Sequence, residues 1–507
     1  VTVTGAVGTD IGTLTLTRGE GITFQNTVEA NTLTIANNVA QSGNLLSFQD
    51  NVTVNTGMTV GTGSYDISFT GANNTIAGTT TFGTTGTVTL GNATTDTIMF
   101  ASGLTATAVT EVITAGTVET SSAAMSLGAV QMSANTTLNT VNSPGANITI
   151  GSVSGSDDLV ITAGTGTLTF QGDVSSATVD ATAATINIDG GTDAVVTTGT
   201  QIYTGATVLG AATTLTSTGS GNIDFQNTLD GAYTLAVNTA GATIFGNAVG
   251  STDELVSLIT DLAGTVQING GIVKTTGVDG MVFNEAATLG ADTTLTATNK
   301  GAITLAGTLN GAFALTANTA GTTTFGGAVG GVSGSELVSV TTDADGSTQI
   351  NGGSIKTAGD KNFVRFGDNV TLGATTILTT VDGDITFSKA LDSASGTTQA
   401  LTLDAGTGDI TFTGAVGDTD ALGAIQVTAA NQALASSTIK ADSLAQTTGA
   451  LTTLTGNVTT LGSVGVNITA TDIRLDGLTI DSTTNNGIVR MNGAVRLDDA
   501  VTITRGT

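Results

Sequence analysis

Three stretches bring acidic side chains close together: "GSDDL" (Asp157, Asp158), "TDADG" (Asp343, Asp345) and "VDGD" (Asp382, Asp384). Paired carboxylates run glycoside hydrolysis, one as acid and the other as base or nucleophile. Asp beside Gly also caps turns, and turn preference favours that reading for every one of these residues. A glycan-cleaving cleft draws on aromatics and Arg, whereas this chain has 4% aromatic residues and 12 basic ones in total. The expectation is therefore a chain without catalysis. Asp343 and Asp345 alternate ahead of Gly346, a spacing seen in calcium loops, although the terminal Glu of the twelve-residue loop is missing. Calcium at Asp343 and Asp345 is the metal reading these residues allow; no other cofactor is expected.

Other chemistries fall away on composition. With no His and no Cys, the usual zinc sites, Cys nucleophiles and Ser-His-Asp triads are excluded. No Gly-rich loop runs into Lys-Ser or Lys-Thr, so a phosphate cradle is absent. Thr-rich runs such as "TLTLT" (13–17) and "GTTTF" (321–325) raise an ice-binding reading. Scattered positions and a variable repeat disfavour it, since outward Thr is ordinary on exposed strands. Asn-x-Thr triplets at Asn51, Asn92, Asn135, Asn147, Asn369 and Asn457 are glycosylation acceptors in form only, because a Thr-rich chain produces them by composition.

The rest of the composition says what must position these groups. Of 507 residues, 70 are Gly and one is Pro, and 39% are hydrophobic. Only 10% are charged, against about a quarter in an average domain. Val, Ile, Leu and Thr punctuated by Gly and Asn make a β-forming alphabet. The net charge of −28 repels phosphate backbones and anionic membranes, which argues against nucleic-acid binding. No apolar run is long enough for a bilayer span. Absence of Cys fits a cytosolic or an exported protein, and the reading here leans outward.

A repeat runs through the chain. "QINGGIVKT" (267–275) returns as "QINGGSIKT" (349–357), with "NIDGG" (187–191) as a looser copy. The anchors Val60, Leu138, Leu215, Leu295 and Leu378 lie 78, 77, 80 and 83 apart, with Ile503 as a distant last member. A second marker, Phe170, Phe245, Phe325 and Phe412, keeps spacings of 75, 80 and 87. Inside a unit, Leu215, Phe225, Leu235 and Phe245 stand ten residues apart in short alternating runs, the mark of strands with one buried face. A propeller would carry aromatic or His-Trp signatures, and strung sandwiches would carry linkers. A parallel β-helix needs only an inward apolar residue and a tight turn per strand, tolerates outside insertions, and is compatible with scarce Pro.

The expected fold is all-β, a β-solenoid running through 1–507 with roughly 20 residues per coil and about four coils per ~80-residue unit. Units are placed near 48–125, 126–202, 203–282, 283–365 and 366–490, with 391–480 irregular. The four marker Phe residues are expected to be buried at equivalent phases. In "QINGG", Asn and Gly are expected in the left-handed conformations a sharp corner demands.

The stretch "LGADTTLTATNKGAITLAGTLNGAFALTANTAGTTTFGGAVG" (289–330), followed by "INGGSIKTAG" (350–359), resembles the repeats of filamentous-haemagglutinin-like and autotransporter-like bacterial exoproteins. The resemblance covers roughly residues 52 to 430. It implies a right-handed parallel β-helix, export across an outer membrane, and adhesion or fibre formation at a bacterial surface, and it brings no catalytic residues. The expected partners are surface glycans or other cells. Both ends, "VTVTGAV" and "AVTITRGT", read as strands, so the chain is also expected either to belong to a longer one or to pair with copies of itself head to tail.

Overall fold

Strands here are short because each is one side of a coil. The computed structural model describes residues 1–8, 10–17, 21–36, 44–140, 145–359 and 362–506. Those residues contain no helix; their parallel strands stack into a β-solenoid of about 22 turns with about 22 residues per coil. The chain gathers into two compact units, Val1–Gly246 and Asn247–Thr507.

In the first unit the period-two pattern works as expected. Strand Thr167–Phe170 points Leu168 and Phe170 inward and Thr167 and Thr169 outward. Each strand lies in parallel register on the one a coil away, so like residues form columns. Phe24, Phe48 and Phe69 stack at 5.0 Å per step, as do Tyr203, Phe225 and Phe245 at 5.2 and 5.9 Å. Such ring pairs contribute about 0.5–1.5 kcal/mol beyond the apolar area they bury. Polar side chains also enter this interior, Gln201 among them. Gln201, fully buried, donates to Val195 O, Thr197 Oγ1 and Thr216 O, and accepts the Tyr203 hydroxyl at 3.0 Å. Burial raises the Tyr203 phenol far above its usual range.

Corners are stapled by side chains. Thr239 Oγ1 donates to Gly221 O at 2.6 Å and accepts Gly241 N at 2.9 Å. In the second unit, Thr319 does the same between Gly301 O and Gly321 N at 2.5 and 2.8 Å. The "QINGG" corner also recurs. Strand Thr265–Ile268 turns into Ile272–Thr275 through Gly271 at φ +70°, and Ser347–Ile350 turns into Ser354–Thr357 through Gly353 at φ +72°. Left-handed backbone falls on Gly there, while Asn269 and Asn351 keep ordinary φ values. In the looser copy the positive φ moves to Asp193.

The second unit shows three strands per coil, hence three faces. One face carries Ile272–Thr275, Thr293–Ala297, Ala314–Thr319, Ser339–Thr342 and Phe363–Phe366 in register. A second carries Thr265–Ile268, Ala286–Leu289, Leu309, Val329 and Ser354–Thr357. The third carries Met281–Phe283, Ile303–Leu305, Thr322–Phe325, Ser347–Ile350 and Asn369–Leu372. The coils continue in the same order through 391–480, between the anchors Leu378 and Ile503.

All four marker Phe residues are buried, but they do not share one column. Phe325 stacks between Leu305 and Ile350 on the third face, and Phe412 follows Phe387 on the first. Likewise Ile268 and Ile350, equivalent in "QINGG", lie on different faces. The reason is arithmetic: a repeat near 80 residues is not a whole number of 22-residue coils. The expectation of about four 20-residue coils per unit put these residues in phase; the longer coil takes them out of it. The anchor Ile503 is 50% exposed, on strand Thr502–Arg505, which pairs with Thr479–Ser482.

Candidate functional site

The carboxylates singled out in the sequence are largely occupied in joining coils. Asp158 Oδ1 accepts the Thr178 hydroxyl at 2.8 Å, and its Oδ2 accepts Asn135 Nδ2 at 3.3 Å. Asp382, itself at φ +62°, accepts Thr407 N at 2.9 Å from the next coil. Asp384 accepts Asp409 N at 2.9 Å, and Asp409 in turn accepts Gln432 N at 3.1 Å, one coil further on. Asn51, Asn147, Asn369 and Asn457 cap the next coil in the same way, through Asn73, Thr167, Ala390 and Thr479 N–H groups. These side chains satisfy backbone donors that a corner would otherwise leave unpaired.

Asp343 and Asp345 sit on the turn after Ser339–Thr342, the first half-buried and the second exposed. Burial raises the Asp343 carboxyl above its usual range, the Asp345 charge adds to that, and Lys389 opposes it. Lys389 Nζ donates to Ala344 O at 2.5 Å, so an ammonium already lies over this turn. Behind it, Asp368 is buried against Thr342 and Thr348. Among the described residues, no group of three or more acidic side chains is arranged to hold a metal ion.

The feature that stands out on the surface escaped sequence reasoning. Three times in the second unit a strand is cut in its middle by a loop with acidic residues. Loop 250–254 lies between Val249, which bridges to Val273, and Leu255, which bridges to Thr275. Loop 330–336 lies between Val329 and Leu337, bridged to Ile355 and Thr357. Loop 417–421 lies between Val416 and Leu422, paired with Ile439 and Ala441. In each case the uncut strand of the next coil carries a half-buried Lys at its centre: Lys274, Lys356 and Lys440. Each loop opens on a Gly with φ of +65°, +65° and +68°. A Cβ on Gly250, Gly330 or Gly417 would come within 2.4, 2.1 or 2.0 Å of that lysine's own carbonyl oxygen.

Polar contacts tie two of the loops down. Glu336 Oε1 lies 2.7 Å from Lys356 Nζ, and Oε2 accepts Gly334 N at 2.7 Å. The coil on the other side contributes acceptors: Asn310 Oδ1 takes Val332 N at 3.2 Å, and Asp392 Oδ1 takes Thr419 N at 3.1 Å. The loops share this frame but differ in sequence, "GSTDE", "GGVSGSE" and "GDTDA". They also differ in direction. Val249 belongs to the first face, Val329 to the second and Val416 to the third, each step covering three coils and two strands. The "AVG" ahead of each acidic run was visible in the sequence; the lysine opposite it emerges only from inter-coil register. Compared with family models, with curated proteins and with solved structures, the chain matches none of them.

Proposed function

We propose that this chain is a structural and adhesive β-solenoid of a bacterial cell surface, exported from the cell and working without catalysis. The observation that carries the reading is the contrast between frame and loops. Corner Asn, Asp and Thr side chains are used in holding coil to coil, whereas the strand-interrupting loops vary in sequence and project from a rigid support. Binding residues concentrate on such loops, and repeat proteins vary outside a fixed core. The resemblance of residues 52–430 to haemagglutinin-like exoproteins supports the same reading. Surface glycans or other cells are the partners it implies.

The test is to coat beads with the purified chain and score their retention on glycan arrays and cultured cells, beside a variant whose three loops are shortened to two glycines each. Retention that the triple variant loses, with its coils intact by circular dichroism, is the expected result. Beads that never bind above an albumin control would overturn the adhesive reading.

A further inference from the structure

Two carboxyl groups are buried at repeat-equivalent corners of the second unit. Glu285 follows strand Met281–Phe283, and Asp368 follows strand Phe363–Phe366. They are 4% and 2% exposed. Each is engaged by a Thr from the neighbouring coil that ends the matching strand. Thr260 Oγ1 donates to Glu285 Oε2 at 2.5 Å, and Thr342 Oγ1 donates to Asp368 Oδ1 at 2.8 Å. The same Thr hydroxyl accepts the backbone N–H just ahead of the acid, from Asn284 at 3.3 Å and from Gly367 at 3.2 Å. This is one device used twice.

The copies differ in one partner. Thr348 Oγ1 stands 2.9 and 2.8 Å from the two oxygens of Asp368. The equivalent position on the preceding repeat is Val266, fully buried and without a donor. Glu285 Oε1 is accordingly buried with no hydrogen-bond partner. An ionised oxygen in that position has nothing to replace its water, whereas a protonated one carries no charge to solvate.

We propose that Glu285 and Asp368 are proton-operated clasps: with a proton on the carboxyl each holds its corner against the coil beneath, and release of that proton to solvent loosens the corner. The charged groups around them favour this. Asp261 faces Glu285 from the coil beneath and adds like charge, while the segment 306–308 on the other side, Ala-Gly-Thr, has nothing titratable. Asp343 faces Asp368 with like charge from the coil beneath, on the turn that also carries Asp345; Lys389 comes from the coil on the other side and reaches across to Ala344 O. Burial is the leading cause that raises both carboxyls, and the Thr hydroxyls oppose it. A group whose folded pKa is raised stabilises fully below its unfolded value, about 4.3 for Glu and 3.9 for Asp, and that stability is lost as pH rises through the folded value. The clasps therefore close in acid and open towards neutrality, Glu285 more strongly than Asp368.

Hydrogen–deuterium exchange of the full chain between pH 4 and 8, corrected for intrinsic exchange, tests this. Protection of 281–290 should fall with rising pH, by up to about tenfold per unit between the unfolded and the folded pKa and levelling off above the folded one, with a smaller fall at 363–372. Glu285→Gln should hold the acid level of protection at every pH. Val266→Thr, which supplies the missing hydroxyl, should reduce the response of 281–290 to that of 363–372; it stands in should Glu285→Gln not fold. Flat protection in the wild type, or an unchanged pH response in either variant, would overturn the proposal.

Discussion

The Lys356 ammonium and the Glu336 carboxylate meet at 2.7 Å across two coils, closing the loop that interrupts the second face. The Lys356 bond is the largest influence on Glu336 and, with backbone N–H groups, brings its carboxyl down to about 2. A lowered folded pKa gives stability that is present above the unfolded value, about 4.3, and lost as pH falls towards the folded one. Lys356→Met should raise the Glu336 titration towards the ordinary Glu range and free loop 330–336 at pH 3–4. Carboxyl-carbon NMR of Glu336 reads this directly. A titration that stays near 2 in the variant would mean the backbone amides suffice.

Interior stacking should be unevenly sensitive to truncation. Phe387 stands between Phe366 and Phe412, with ring centroids 5.3 and 5.2 Å away. Phe387→Ala should cost about 3–5 kcal/mol, felt as opening of its own coils, because a repeat array confines damage to neighbours. Exchange confined to 363–366, 384–387 and 410–412 is the expected signature. Uniform loss across the unit would show stronger coupling between coils.

Beyond Phe412 the same column narrows to Ala435 and then Leu454. The step from ring to methyl leaves a cavity of about 20 Å³ lined by Phe412, Ala435, Leu444, Leu454 and Ile468 among others. Ala435→Val keeps strand geometry and fills part of that space. It should stabilise by about 0.5–2 kcal/mol, as cavity-filling changes do. Chemical denaturation of the two proteins compares them; a loss of stability would mean the walls cannot take a branched side chain.

Gly330 and the middle of its loop should respond oppositely to change. Gly330→Ala forces a side chain into the left-handed region and against the Lys356 carbonyl, a strain of about 1–3 kcal/mol. Doubling the segment 331–334, which is exposed, should cost only about 0.4 kcal/mol of added closure entropy. Thermal unfolding distinguishes the two. Equal losses would show that the loop itself packs.

Burial along each strand was legible in the sequence, because alternation at period two depends only on local residue type. Phe170, Phe245, Phe325 and Phe412 are inside for that reason. Their placement on faces was not legible. It depends on coil length accumulated over a whole repeat: the third-face column steps from Phe325 by 25, 22 and 21 residues to Ile350, Leu372 and Ser393 and next meets the chain at Val416, so Phe412 falls one strand short of it. Asp382 and Asp384 followed their turn chemistry. Glu285 and Asp368 were overlooked because Gly, Asn and Asp nearby mark a corner equally well when the acid points out. Pairing of loop 330–336 with Lys356 required the inter-coil register, which no local pattern contains.

Repeats that advance by three coils and two strands have a consequence for how such a chain changes length. Removing or duplicating one repeat leaves the cross-section and every column of inward side chains able to rejoin, since strand meets strand at the splice. Every loop beyond that point, however, is swung round to a neighbouring side. Three such events return it to its starting bearing. The chain can thus redirect its outer loops by recombination between near-identical segments, with no substitution in any loop and no new packing to find.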